Sequence, residues 1–166
     1  MTSRVMKTVI AWTAVIIWMG IIFMMSSENA AASTHTSGSV VRIAAGVFVD
    51  NFDSMTASEQ NKIVREWQNV VRKAAHYCEY TVLGAMLSVA FYSCGFGLKK
   101  RFVSAFVAGT AYAASDEIHQ MFVPGRAAML KDVLLDSSGV ITGALFVLLA
   151  ALLIRTIRKN RQSLNI

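Results

Sequence analysis

Four stretches of this chain approach the length an α-helix needs to cross the hydrocarbon core of a membrane, about 20 apolar residues. They run from about Val9 to Met25, Tyr77 to Phe96, Phe102 to Phe122 and Val133 to Ile154. No other feature limits the fold so strongly. In lipid, every backbone N–H and C=O must be paired within the protein, and uninterrupted apolar runs of this length satisfy that demand as helices. The expected fold class is all-α: an integral membrane bundle of about four transmembrane helices, forming a single domain over residues 1–166. The chain is 55% hydrophobic and 16% charged, whereas a soluble domain carries about 25% charged residues.

Arg4 and Lys7 before the first stretch, and Ala30, Ala31 and Ala32 after it, are also features of a cleaved signal peptide. The apolar run exceeds the roughly 7–15 residues of a signal sequence, so it is read as a retained span. The other spans contain Glu79, then Asp116, Glu117 and His119, then Asp136. All lie near helix ends, where burying charge costs less and water can reach. Gly139 and Gly143 have the G-x-x-x-G spacing that lets two helices approach closely, although a tolerated pair of small residues would look the same. Cys78 and Cys94 fall in one expected helix, too far apart for a disulfide and without metal-ligand spacing. Both read as packing residues.

The charge pattern orients the chain. With the N-terminus in the cytoplasm, the cytoplasmic segments hold Arg4, Lys7, Lys99, Lys100, Arg101, Arg155, Arg158, Lys159 and Arg161, and no acidic residue. All ten Asp and Glu residues then lie outside or in the outer halves of helices, with seven basic residues spread over longer outer segments. Basic clusters in short loops govern topology, so both termini are expected to be cytoplasmic. The net charge of +6 is explained by this bias and does not call for nucleic acid. The long outer segment, roughly Ser26 to Arg72, begins with a small, polar stretch, Asn29 to Ser39, expected to be irregular, with His35 solvated. Ile63, Val64, Trp67, Val70 and Val71 recur at helical spacing. They predict an amphipathic helix between spans 1 and 2, lying on the membrane surface or packed on the bundle. A patch around Val40 to Val49 can behave likewise.

Arg72, His76, Glu79 and Leu83 share one helical stripe, flanked by Lys73 and Tyr80. Asp116, His119 and Gln120 share another, with Glu117 beside them, and Asp132 and Asp136 lie one turn apart. The turn Val123-Pro124-Gly125-Arg126 lies between these last two groups. The topology brings these segments to the same interface as Ser26, Ser27 and Glu28. A histidine beside a carboxylate can act as base and orienting group, so His76, Glu79, Asp116, Glu117 and His119 are candidate catalytic residues. Arg126 suits bidentate recognition of phosphate or carboxylate. With Arg72, Lys73, Tyr80, Gln120, Asp132, Asp136 and Ser27 it forms the candidate binding set. The same groups could instead close structural salt bridges, such as Arg126 with Asp132 or Arg72 with Glu79. His76-x-x-Glu79 and Glu117-x-His119 are weak metal spacings, so no metal is assigned, and no motif identifies a cofactor.

Arg72-Lys73-Ala74-Ala75-His76-Tyr77-Cys78-Glu79-Tyr80, then Asp116-Glu117-Ile118-His119-Gln120-Met121-Phe122-Val123-Pro124-Gly125-Arg126, then Lys131-Asp132-Val133-Leu134-Leu135-Asp136-Ser137-Ser138-Gly139 resemble the VanZ-like family. Ser26-Ser27-Glu28-Asn29 is similar to the family's first short motif, which more often has Gln where Glu28 stands. The resemblance implies a small multi-pass protein of the bacterial cytoplasmic membrane that affects the cell envelope. The family is named for a protein associated with resistance to glycopeptides, chiefly teicoplanin, but it supplies no catalytic mechanism. Three functions follow as expectations. The first is a site that lowers glycopeptide susceptibility. The second is an envelope hydrolase or transferase acting on an outer-leaflet lipid or lipid-linked wall precursor. The third is a non-catalytic accessory or transporter subunit. The last is disfavoured as a transporter, because the inner halves of the spans carry no ionisable group. The lipid bilayer is the expected partner.

Overall fold

The computed structural model describes residues 2–27, 30–126 and 129–164, and side chains throughout these except at 2, 30–37, 163 and 164. Glu28, Asn29 and Ala128 lie outside the described residues, as does the side chain of His35. Among the described residues there are five α-helices and no strand. The helices are α1 (Thr2–Ser26), α2 (Ala30–Phe48), α3 (Ala57–Ser93), α4 (Leu98–Gln120) and α5 (Leu130–Leu164), with one 3-10 turn at Phe52–Ser54.

The apolar stretches become helices because nothing in them breaks the pattern, and Pro124 falls in the turn between α4 and α5. Four helices contribute to one core. Val15 and Ile22 come from α1, Tyr80, Leu83 and Leu87 from α3, Ala105 and Ala113 from α4, and Val140 and Ala144 from α5. The α3–α5 interface is the most extensive, and it depends on backbone approach. A Cβ at Gly143 would overlap the Thr81 carbonyl, and one at Gly139 would come 2.6 Å from the Tyr77 carbonyl oxygen. Gly84 on α3 meets the Val140 backbone in the same way. Small residues therefore form the seam, as the G-x-x-x-G spacing allows.

The outside of the bundle is apolar. Ile16, Ile17, Met24, Phe146, Leu149 and Leu153 are each more than half exposed, and a soluble monomer rarely leaves so much apolar surface bare. The segments Ser3–Ser26 and Leu130–Gln162 are long and apolar enough to cross a membrane, with mean hydropathy 2.2 and 2.4. The other helices do not reach that measure. The first half of α3 is charged, and α4 begins Leu98-Lys99-Lys100-Arg101 and ends with Asp116 and Glu117.

The outer segment departs from one expectation. The stretch 29–39, expected to be irregular, is helical from Ala30 onward. Packing anchors its far end: Val41 and Ala45 are buried against Val64 and Phe52, with Ile63, Trp67 and Val71 around them. The apolar stripe 63–71 is the first half of α3, continuous with the helix that carries His76. Much of it packs on α2, although Val40, Ile43, Val47, Phe48 and Val70 remain exposed. The start of α3 is a capping box. Thr56 Oγ1 accepts from the Glu59 amide, and the Glu59 carboxylate accepts from the Thr56 amide.

Candidate functional site

The last turns of α1 and α4, the middle of α3 and the first turns of α5 meet at one end of the bundle. A cavity of about 430 Å³ opens there. Its lining includes Asn69, Arg72, Lys73 and His76 from α3, Glu117 and Gln120 from α4, Gly125 and Arg126 from the connecting turn, and Asp132, Leu135 and Asp136 from α5. The residues of α3 recur at helical spacing, so one face of one helix forms a whole wall.

Buried polar groups lie below and beside the cavity. Ser26, fully buried, donates from Oγ to Asp116 Oδ2 at 2.6 Å. Gln120 Nε2 donates to Ser26 Oγ at 3.0 Å and to Asp116 Oδ2 at 3.2 Å. Arg126 Nη1 in turn reaches Gln120 Oε1 at 3.4 Å. This chain of contacts ties α1, α4 and the turn together. Glu117 Oε1 accepts from the Met129 amide at 2.5 Å and so pins the approach to α5. At the mouth, Lys73 Nζ pairs with Asp132 Oδ1 at 2.7 Å, with both partners part-exposed.

Several buried polar atoms have no hydrogen-bond partner within the protein: His76 Nδ1, Asp116 Oδ1, Asp136 Oδ1, Tyr80 Oη and Ser137 Oγ. Buried polar groups are normally paired, because leaving one unpaired costs about 1–3 kcal/mol. Of these, His76 and Asp136 line the cavity, whereas Tyr80, Asp116 and Ser137 lie outside its lining. The neighbours of His76 matter here: Glu79 Oε2 stands 3.9 Å from Nδ1, beyond hydrogen-bond reach.

The structure thus divides the expected site. Arg72, Lys73, His76, Glu117, Gln120, Arg126, Asp132 and Asp136 come together around the cavity. Asp116 lies behind them, joined through Gln120. Tyr80 is fully buried with its ring centroid 6.1 Å from that of Tyr112, away from the cavity lining. Glu79 stands one turn beyond His76, and its carbonyl accepts from Trp18 Nε1 at 3.0 Å. His119 and Ser27 form a separate pair at 3.1 Å, with His119 against the Phe23 ring. Neither expected salt bridge forms as drawn. Asp132 takes Lys73, and Arg72 Nη2 donates to Asn69 Oδ1 at 3.2 Å. Lys73 is favoured because it leaves α3 directly opposite the first turn of α5. Among the described residues, no three His, Cys, Asp or Glu side chains gather in a metal-holding group.

Asn69 is the contributor that residue patterns pass over, and Ser26 is one they place at the interface without distinguishing it from Ser27. Asn69 had a legible signal, since it lies three residues before Arg72 and seven before His76 on the same stripe. Choosing Ser26 over Ser27 requires the rotation of α1, which the residue pattern does not give.

No curated protein and no solved structure matches the chain. A family model described as VanZ/LLP1 matches residues 11–154, which takes in α3, α4, most of α1 and α5, and the whole cavity. The chain belongs to the VanZ/LLP1 family.

Proposed function

We propose that this is a multi-pass protein of the bacterial cytoplasmic membrane in which α1, the second half of α3, α4 and α5 all cross the bilayer. Both termini are cytoplasmic and the cavity faces outward. In this reading the cavity receives the anionic headgroup of an outer-leaflet lipid or lipid-linked wall precursor, and its occupancy lowers susceptibility to glycopeptides such as teicoplanin. One observation carries the proposal: three cations, Arg72, Lys73 and Arg126, line a single cavity. Guanidinium groups match phosphate and carboxylate oxygens in bidentate geometry. Family membership and the apolar exterior support an envelope membrane protein. The absence of acidic residues beside Arg4, Lys7, Lys99, Lys100, Arg101 and the α5 tail supports the orientation.

The test is complementation. A deletion strain is expected to be more sensitive to teicoplanin. Wild type and Ser54→Ala are expected to restore tolerance, and Arg126→Gln and Asp136→Asn to fail while accumulating normally in the membrane. Restoration by both site variants would remove the cavity from the function. A second reading, an envelope hydrolase or transferase, is favoured by His76 and Asp136 lining the same cavity. It requires His76→Gln to abolish turnover of a lipid-linked substrate while headgroup binding persists. Loss of binding together with activity would assign His76 to recognition.

A further inference from the structure

At the opposite end of the bundle a second cleft, of about 790 Å³, lies between the start of α1 and the end of α3. Its polar part is basic. Arg4 Nε donates to the Ser93 carbonyl at 3.4 Å, Thr8 Oγ1 donates to the same oxygen at 3.2 Å, and Lys7 lines the cleft beside Tyr92. Gly95 has φ +89, and a Cβ there would run into Arg4 Nη2. The turn therefore requires glycine for its backbone and leaves room for the guanidinium. Next to the cleft, Arg101 is 4% exposed, stacks 5.5 Å over the Tyr92 ring, and has Nε and Nη2 without a protein partner. The chain places no acidic residue in its first 27 residues, between 80 and 115, or after 136. Among the described residues no side-chain carboxylate therefore stands at this end.

The other half of the feature is apolar. Ala11 and Val89 line the cleft and also line a shallower groove that continues along α1 and α3 over Ala14, Ala85 and Met86. Small residues on both helices keep that groove open. A basic cleft opening onto an apolar groove at the end of a helical bundle matches one kind of molecule, with a phosphate at one end and a hydrocarbon chain at the other. A free phosphate would use only the cleft, and a neutral lipid only the groove.

We infer that this end binds an anionic phospholipid from the surrounding leaflet. Its phosphate lies against Arg4 and Lys7, and the first part of one acyl chain lies along Ala11, Ala14, Met86 and Val89. The site is separate from the cavity described above and requires only that the bundle be embedded in a membrane. Which leaflet supplies the lipid follows from the orientation already proposed.

Native mass spectrometry of the full chain in detergent, with added phosphatidylglycerol or phosphatidylcholine, tests this. Phosphatidylglycerol is expected to be retained preferentially. Each basic side chain near an anionic lipid surface contributes about 1 kcal/mol, so Arg4→Gln with Lys7→Gln is expected to lower occupancy roughly ten- to thirtyfold. Both side chains are exposed, so the fold should survive. Ala14→Phe, filling the groove, is expected to displace the lipid while leaving the cations in place. The Arg4/Lys7 variant is expected to lose the same occupancy in an Arg126→Gln background as in the wild type, which separates this site from the proposed headgroup cavity. Equal retention of the two lipids, or occupancy unchanged in the Arg4/Lys7 variant, would overturn the inference. So would competition by inorganic phosphate together with indifference to Ala14→Phe, which would make it a phosphate site.

Discussion

Ser26 and Ser27 differ by one position and by about 100° of helix rotation. That rotation puts Ser26 inside, hydrogen-bonded to Asp116, and Ser27 on the exposed face beside His119. Replacing Ser26 by Ala should remove a buried hydrogen bond and cost about 1–3 kcal/mol, seen as a lower thermal midpoint of the detergent-solubilised protein. Ser27→Ala should shift that midpoint little. Equal effects would mean the two serines share one environment. The Lys73–Asp132 pair makes the opposite point. Its side chains are 43% and 28% exposed, so Lys73→Met should change stability by no more than about 1 kcal/mol. Any larger effect on tolerance to teicoplanin would then belong to the cavity and not to folding.

The elements can be weighed through their glycines and caps. Gly143→Ala drives a Cβ into the Thr81 carbonyl, and overpacking of this kind costs about 1–3 kcal/mol or more. Gly20→Ala meets nothing within 4 Å and should be neutral or stabilising, since alanine is the better helix former. Paired thermal melts of the two variants decide whether the α3–α5 seam sets stability. At the start of α3, Thr56→Ala should cost about 1 kcal/mol, read as earlier amide exchange over residues 57–63. Hydrogen bonds from the Thr56 hydroxyl and amide hold the Glu59 carboxyl below its ordinary value of 4.5. A depressed carboxylate stabilises the fold above its unfolded value, and the contribution is lost as pH falls through the folded one. Amide protection at the start of α3 should therefore weaken only below about pH 4.5, and Glu59→Gln should flatten that dependence.

For the whole molecule, sidedness is the deciding property. With Cys78 and Cys94 replaced by Ala, Lys131→Cys next to the cavity should react with an impermeant thiol reagent in intact cells. Lys159→Cys near the end of α5 should react only after lysis. The reverse pattern would turn the cavity toward the cytoplasm and rule out an outer-leaflet substrate. Retention of the first helix also belongs at this scale. α1 contributes Val15 and Ile22 to the core, and Met19 accepts a 2.6 Å hydrogen bond from the Tyr112 hydroxyl. Loss of α1 would open the bundle and remove Ser26 from beside Asp116.

The helical class, the apolar exterior and the family were all legible in the residues. Long apolar runs leave few structures open in lipid, and each of the three motifs between Arg72 and Gly139 is an unbroken run of residues. Helical spacing also put Arg72 with His76 and Asp132 with Asp136, and all four line one cavity, because residues on one face of a helix stay together whatever it packs against. What spacing could not supply was the rotation and partner of each helix. Tertiary packing sent Tyr80 into the core, gave Lys73 rather than Arg126 to Asp132, and chose Ser26 over Ser27. It also made a helix of the polar stretch after Ala30 by docking its far end on α3. These outcomes depend on which backbones approach closely at Gly84, Gly139 and Gly143. That is a relation between segments 50 or more residues apart, which local periodicity does not encode.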